Sequence, residues 1–328
     1  MKAFVYEYGE WKLKDMPDPK PGPGEVVVAL KTAGLNRRDL YIPARRGDDK
    51  EAVVIGSDGA GIVESAGEGV AGIKEGDEVI INPALRWYEQ SAAPPEEFDI
   101  LGMPDNGTMA EKIVISAEQI EPKPEHLSWE EAGVLALAAM TGYRALVTRG
   151  RLKAGETVFI PGAGSGVATY LIQFAKALGA RVIVTSRSEE KRRLALKTGA
   201  DRALETGEDW QAALSGETVD LVIDSVGEAT FSRSFSVLKK GGRFVTFGAT
   251  TDDRVDFDLR TFFYGQYDLL GSTMGSREEL RDLLRLMKEK GIRPVIDSSF
   301  PLSRVEDAMT LLSDSTQFGK IAIRITGV

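Results

Sequence analysis

The stretch from Thr157 to Arg187 limits the fold more than any other part of the chain. An apolar strand pattern, Thr157–Ile160, runs into the loop Pro161-Gly-Ala-Gly-Ser-Gly166. The loop opens a helical pattern with Val167, Leu171, Phe174 and Leu178 on one face, and a second strand pattern follows at Arg181–Thr185. Small residues let the backbone turn tightly and approach a ligand. The helix N-terminus offers unpaired N–H groups and a positive dipole end to a pyrophosphate. The loop is not a literal G-x-G-x-x-G. Registered on the helix and on Gly179-Ala180, its three small positions are Ala163, Ser165 and Ala168, with Gly162, Gly164 and Gly166 supplying flexibility. Strand, glycine loop, helix and strand together predict a dinucleotide site, with Gly162, Gly164, Ser165, Gly166 and Val167 as its phosphate-side contacts.

The end of the second strand predicts which dinucleotide. A carboxylate there accepts hydrogen bonds from the ribose hydroxyls of NAD. This chain instead has Thr185-Ser186-Arg187, with Lys191 one helical turn on. An arginine stacks on adenine and pairs with a 2′-phosphate, which a carboxylate would repel. Ser186, Arg187 and Lys191 therefore point to NADPH.

With 328 residues the chain has room for two domains. The first third is rich in short strands and turns, with strand patterns at Glu25–Leu30, Ala60–Ser65, Glu78–Ile81 and Glu111–Ile115. That spacing predicts a compact, partly closed antiparallel fold, and Trp87–Met103 a long loop. From about residue 121 the pattern changes. Ser128-Trp-Glu-Glu131 is a capping box that opens a helical run through Ala139. Strand and helix then alternate, with further strands at Leu221–Asp224, Arg243–Phe247 and Asp268–Gly271, and a helix from Ser188 to a stop at Gly199. This alternation predicts an α/β domain with a doubly wound parallel sheet. Ser276…Glu279 and Ser303…Glu306 are two further capping boxes before a last strand at Ile321–Ile325. The expected division is 1–120 with 275–328 as a mainly β domain, and 121–274 as the dinucleotide domain.

Composition removes several alternatives. The chain has no cysteine, so disulfides, thiol nucleophiles and thiolate zinc sites are all excluded. A net charge of −9 argues against general affinity for nucleic acid or an anionic membrane. The N-terminal stretch carries charges through its apolar residues, and Ala132–Met140 is far shorter than the ~20 residues of a membrane span. A cytoplasmic protein is the expectation.

Further segments resemble one family over nearly the whole length. They are the Met1-Lys-Ala3 strand, Pro21-Gly-Pro-Gly-Glu-Val26, Ala33-Gly-Leu-Asn-Arg-Arg-Asp-Leu-Tyr41 and Ile55-Gly-Ser-Asp-Gly-Ala-Gly-Ile-Val63. Gly76-Asp-Glu-Val79, Thr141-Gly-Tyr143, the glycine loop, Asp224-Ser-Val-Gly227 and Phe318-Gly-Lys320 follow in order. The set resembles the medium-chain dehydrogenase/reductase superfamily, and within it the zinc-free quinone-oxidoreductase branch. The resemblance implies a GroES-like catalytic domain built from both chain ends, a Rossmann domain between them, an active site in the cleft of the two lobes, and a homodimer formed through sheet edges of the cofactor domain.

The zinc alcohol dehydrogenases of that superfamily hold their catalytic metal with Cys, His and Cys. The matching positions here are Asn36, Ser57 and Leu137, and the acidic residue after the histidine is Asp58. The region of the structural zinc loop, 82–108, has no cysteine, and the single histidine, His126, is expected at the surface. No metal is therefore expected. The resemblance implies that Asn36 hydrogen-bonds substrate oxygen or cofactor ribose and that Tyr41 donates a proton or shapes the pocket. It makes Asp39 a structural residue orienting nearby backbone or Arg38. Thr141, Phe247 and Gly248 are expected near the nicotinamide, and Lys320 at a cofactor phosphate or ribose unless it is simply a surface lysine. Trp87 and Tyr88 are candidates for lining an apolar acceptor pocket.

Without a Lewis acid, conjugated acceptors are the easier substrates. Charge then builds on an enolate or phenolate oxygen that a few hydrogen-bond donors can stabilise. The expected activity is hydride transfer from NADPH to a quinone or an α,β-unsaturated carbonyl. The competing readings are a zinc-free reductase of simple aldehydes or ketones and a non-catalytic NADPH-binding protein. A methyltransferase, which also carries a glycine loop, fits poorly with Arg187.

Overall fold

The computed structural model describes residues 1–47, 49 and 51–325, in two compact units. One comprises Met1–Met140 and Gly275–Val328, the other Thr141–Met274.

In the first unit the strand Glu25–Gly34 is central, carrying Val26, Val28 and Leu30 into an apolar core with Val63, Val79 and Ile113. Asp58–Ala66 and Lys112–Ser116 pair with it antiparallel, as does Lys320–Arg324 at its far end. Glu78–Ile81 and Ile120–Pro122 extend the sheet on one side, and Ile296–Pro301 on the other. A smaller sheet, Glu10–Asp15, Lys2–Glu7 and Val53–Val54, closes a second apolar cluster around Phe4, Ile55 and Met109.

Register matters more here than strand count. Gly34 pairs with Asp58 on one side and with Ala322 on the other. Both neighbours run antiparallel to the central strand, so its C-terminal end meets Asp58, the first residue of one, and stops two residues short of Lys320, the first of the other. Whatever follows Gly34 emerges between an aspartate and a lysine. Only glycine fits at 34, because a Cβ would come within 2.9 Å of the Val134 Cα and 3.0 Å of the Gly133 carbonyl oxygen.

The helical region before residue 140 belongs to this unit, so the β-to-α change near 121 is not where the chain changes unit. The reason is packing: Gly133 lies so close to Thr32 that a Cβ would approach its side chain to 2.7 Å. The expected single run also breaks into Trp129–Gly133 and Ala136–Tyr143. The Ser128 capping box is present, as is that of Ser276, whose helix spans Arg277–Lys290. The box expected at Ser303 does not form. Leu302–Arg304 is a 3₁₀ turn, and the helix Val305–Asp314 starts behind Arg304 with no side-chain cap. The Trp87–Met103 loop includes a short strand, Asp99–Ile100, paired with Ala84–Leu85.

The second unit is a six-stranded parallel sheet. Its order is Arg202–Glu205, Arg181–Ser186, Thr157–Ile160, Val219–Asp224, Leu238–Thr246 and Asp268–Gly271. The first strand in sequence lies third, so the winding reverses between Thr157–Ile160 and Val219–Asp224. Ligands of doubly wound sheets bind at such a reversal. Phe159, Ile183, Val222, Phe231 and Phe244 fill the core beneath it. Arg202–Glu205 escaped the sequence pattern because only Leu204 of its four residues is buried.

Candidate active site and cofactor site

In the second unit, Thr157–Ile160 ends at Pro161 and the chain turns through Gly162, whose φ of +81° excludes an ordinary side chain. Of the three loop glycines, Gly162 alone needs this conformation; Gly166 is the first residue of the helix Gly166–Ala177. Ala163 is fully buried, and its N–H donates to the Thr185 carbonyl, tying the loop to the second strand. Ser165 caps the helix, its Oγ accepting from the Ala168 N–H at 3.1 Å. The earlier N–H groups of the first turn, at Gly166 and Val167, have no intrahelical partner, as a phosphate site requires. Asp224 shapes the loop across the reversal point, accepting from the N–H groups of Val226 and Gly227 and from Thr230 and Ser234.

The cationic residues expected beside the 2′ position flank the strand end and the glycine loop separately. Arg187 is exposed at the end of its strand. Lys191 lies across the glycine loop, so near that a Cβ on Gly164 would meet its Nζ at 2.9 Å. Arg192, which the sequence pattern did not single out, donates to the Ser186 carbonyl at 2.7 Å. Ser186 is buried, its Oγ accepting from the Ser188 N–H. Phe247 is half-buried and Gly248 exposed, and the Phe247 N–H donates to the Asp224 carbonyl. Thr141 is buried, its hydroxyl 3.8 Å from the Met274 sulfur.

In the first unit, Asn36 emerges where the sheet register directs it. Its Nδ2 donates to Asp58 Oδ2 at 2.9 Å, and its Oδ1 accepts from Lys320 Nζ at 2.6 Å. Lys320 also donates to Asp58 at 3.0 Å and to the Leu35 carbonyl at 2.9 Å. The other oxygen of Asp58 accepts from the Leu137 N–H at 2.6 Å. That N–H belongs to the restarted helix, so the helix break leaves it in need of an acceptor and Asp58 supplies one. Asp39, fully buried, accepts from the Asn36 backbone N–H at 2.8 Å. Burial pushes its carboxyl up to about 6, against the pull of that N–H, Arg38 and Lys320. Ser57 and Arg38 form an adjacent set, with Arg38 donating to the Ser57 hydroxyl and both donating to the Leu101 carbonyl.

Three expectations change. Lys320 is neither a surface lysine nor a cofactor-phosphate contact: it is 3% exposed and its ammonium already has three acceptors. Trp87 does not line a pocket; it is 1% exposed, stacked edge-on against Phe98 and bonded to Ser91. His126 is half-buried against the Ile292 carbonyl. Asp39 orients the Asn36 backbone and is not hydrogen-bonded to Arg38. Tyr41, at 44% exposure, ends a 3₁₀ turn, Arg37–Tyr41.

The positions matching the zinc ligands thus converge, but their chemistry does not suit the metal. Asn36 and Ser57 are committed to other partners, Leu137 brings an apolar side chain, and an ammonium lies 3.0 Å from the Asp58 carboxylate. A cation would meet a fixed positive charge and no thiolate or imidazole.

A parallel sheet with a capped glycine loop at its reversal, accompanied by an antiparallel unit with a buried polar cluster, defines a nicotinamide-dependent oxidoreductase. Residues 22–125 match the alcohol dehydrogenase GroES-like domain and residues 166–289 the zinc-binding dehydrogenase domain. An acryloyl-coenzyme A reductase of Sulfurisphaera tokodaii is 31% identical, covering 99% of this chain and 100% of that protein. A crystal structure of an NAD-dependent alcohol dehydrogenase superposes with a TM-score of 0.89 at 33% identity, over 99% of this chain and 100% of the other. A crotonyl-CoA carboxylase/reductase in complex with NADP gives 0.88 at 26%, over 99% and 94%. The chain belongs to the medium-chain dehydrogenase/reductase superfamily.

Proposed function

We propose that this chain is a zinc-independent, NADPH-dependent oxidoreductase that reduces an α,β-unsaturated carbonyl or a quinone. The observation that carries this reading is the buried Asn36 amide, held between Lys320 and Asp58 at a position where zinc-dependent relatives bear a metal ligand. When bound, the nicotinamide supplies the hydride. The Gly166 and Val167 N–H groups hold the pyrophosphate, and Arg187 and Lys191 bind the 2′-phosphate, with Gly162, Gly164, Ser165 and Ser186 shaping the loop around them. Thr141, Phe247 and Gly248 border the ring. Asn36 donates its remaining amide N–H to the acceptor oxygen, where negative charge builds as an enolate or phenolate. Tyr41 is the proposed proton donor. The likeness to an acryloyl-coenzyme A reductase supports an unsaturated carbonyl ahead of a quinone.

The test is oxidation of NADPH, and separately NADH, with an α,β-unsaturated ketone or thioester, a quinone and a saturated ketone, each with chelator present. Turnover of the conjugated acceptors that survives chelation is the expected result. Turnover confined to the saturated ketone identifies a carbonyl reductase instead, and NADPH binding without turnover removes the enzymatic reading.

We also propose that the chain pairs with a second copy through the sheet edge of the second unit. Asp268–Gly271 is an edge strand whose Leu269 is 40% exposed, and Leu259, Phe263 and Tyr264 of the preceding helix, Leu259–Gly265, are 53–69% exposed. A second copy turned by a two-fold axis satisfies both the open edge and the apolar surface.

A further inference from the structure

We propose that Lys320 and Asp58 act as a polarity clamp on Asn36, making its side chain an obligate hydrogen-bond donor to the acceptor oxygen. An asparagine amide has nearly the same shape after a half-turn about its last bond, so an unconstrained one presents oxygen or nitrogen with equal ease. Here both ends are committed by charge. An ammonium can only donate, so the amide end 2.6 Å from Lys320 is the oxygen. A carboxylate can only accept, so the end 2.9 Å from Asp58 is the nitrogen. Flipping the amide would set oxygen against carboxylate and N–H against ammonium. Asp39 holds the same residue by its backbone N–H at 2.8 Å, so the side chain is fixed in place as well as in sense.

The consequence is chemical selectivity. With one amide hydrogen committed to Asp58, Asn36 has one N–H left to offer. The pull of the ammonium on its carbonyl oxygen makes that hydrogen a stronger donor. Such a group matches an oxygen that gains negative charge during reaction. The clamp residues make no contact with the acceptor in this scheme; they are positioning residues acting through Asn36.

This inference rests on the reading of Asn36 as the acceptor-oxygen donor, and the test separates the two. Asn36→Ala, Lys320→Met and the pair Lys320→Met/Asp58→Asn are compared by kcat, KM and NADPH affinity with an α,β-unsaturated ketone. The pair is included because Lys320→Met alone leaves the buried Asp58 carboxylate without its cation and can impair folding, whereas the pair removes that carboxylate's charge together with its cation. Asn36→Ala lowers kcat on the order of 10²-fold, as removal of one oxyanion donor does. Clamp removal lowers kcat by roughly 10-fold to 10²-fold through misplacement of the amide, with NADPH affinity unchanged. Combined with Asn36→Ala, clamp removal has no further effect on kcat.

Additive losses in that combination overturn the clamp and leave the Asn36 reading intact. An Asn36→Ala enzyme with undiminished kcat overturns the Asn36 reading instead. The side-chain amide resonances of selectively ¹⁵N-labelled Asn36 provide a check independent of turnover. Their expected separation in the native protein exceeds that of a free primary amide and falls to the free value when the clamp is removed; a separation unaltered by the paired substitution overturns the clamp.

Discussion

Asp39 makes the stability of the first unit depend on pH in a direction opposite to that of most aspartates. Burial holds its carboxyl at about 6, against 3.8 for an exposed aspartate. The folded chain therefore keeps this proton more tightly than the unfolded chain, and stability falls as pH rises between about 4 and about 6. Above that window the ionised carboxylate costs about 3 kcal/mol, and below it both states are protonated and the cost disappears. Asp39→Asn removes the titration while keeping an oxygen for the Asn36 N–H. Whatever constant offset the amide introduces, the stability of the variant relative to the native protein rises by about 3 kcal/mol from pH 4 to pH 7.5. For a domain of this size that is a relative gain of about 6–12 °C in Tm. Trp11, Trp87 and Trp129 belong to the first unit and only Trp210 to the second. Tryptophan fluorescence during urea unfolding at a series of pH values therefore follows mainly the relevant unit. Parallel stability profiles for variant and native protein across this range would refute the assignment of a raised carboxyl to Asp39.

Arg187→Asp places a carboxylate at the proposed 2′-phosphate contact. Its expected effect is a loss of roughly 10-fold to 10²-fold in kcat/KM with NADPH, the worth of one charge-assisted hydrogen bond, while NADH is spared; equal losses with both dinucleotides would move Arg187 out of the site. Phe263→Glu puts a charge on the apolar surface beside the edge strand and shifts the chain to monomer in analytical ultracentrifugation with its circular dichroism unchanged. A native protein that sediments as a monomer at micromolar concentration sinks the pairing proposal outright.

The parts of this protein legible in its sequence are those whose physics is local. Strand, glycine loop and helix from Thr157 to Ala177 are contiguous, and the interactions that specify them span a few residues: the Ser165 cap, the turn at Gly162, the apolar helix face. Ser188 and Gly199 bound the next helix for the same reason. Ser303 shows the limit of this logic, because a capping pattern is only an option that the 3₁₀ turn Leu302–Arg304 pre-empts. The unit boundary was illegible near 121 because the helices that follow are claimed by close glycine contacts to a strand about a hundred residues earlier in the chain.

The polar cluster was legible only in pieces. Asn36, Asp39 and Asp58 stood out as residue types at marked positions, yet their partner Lys320 lies 284 residues from Asn36. A lysine between a glycine and an apolar strand carries no local sign of burial, since a buried ammonium is tolerable only if acceptors are waiting for it. Those acceptors are brought to it by the register of three strands, which places the start of two beside the end of the third. Sequence alone determined the alternating strands and helices, the glycine loop and the absence of cysteine ligands. Tertiary structure decided which charges meet, because pairing across a sheet depends on distances that no stretch of chain contains.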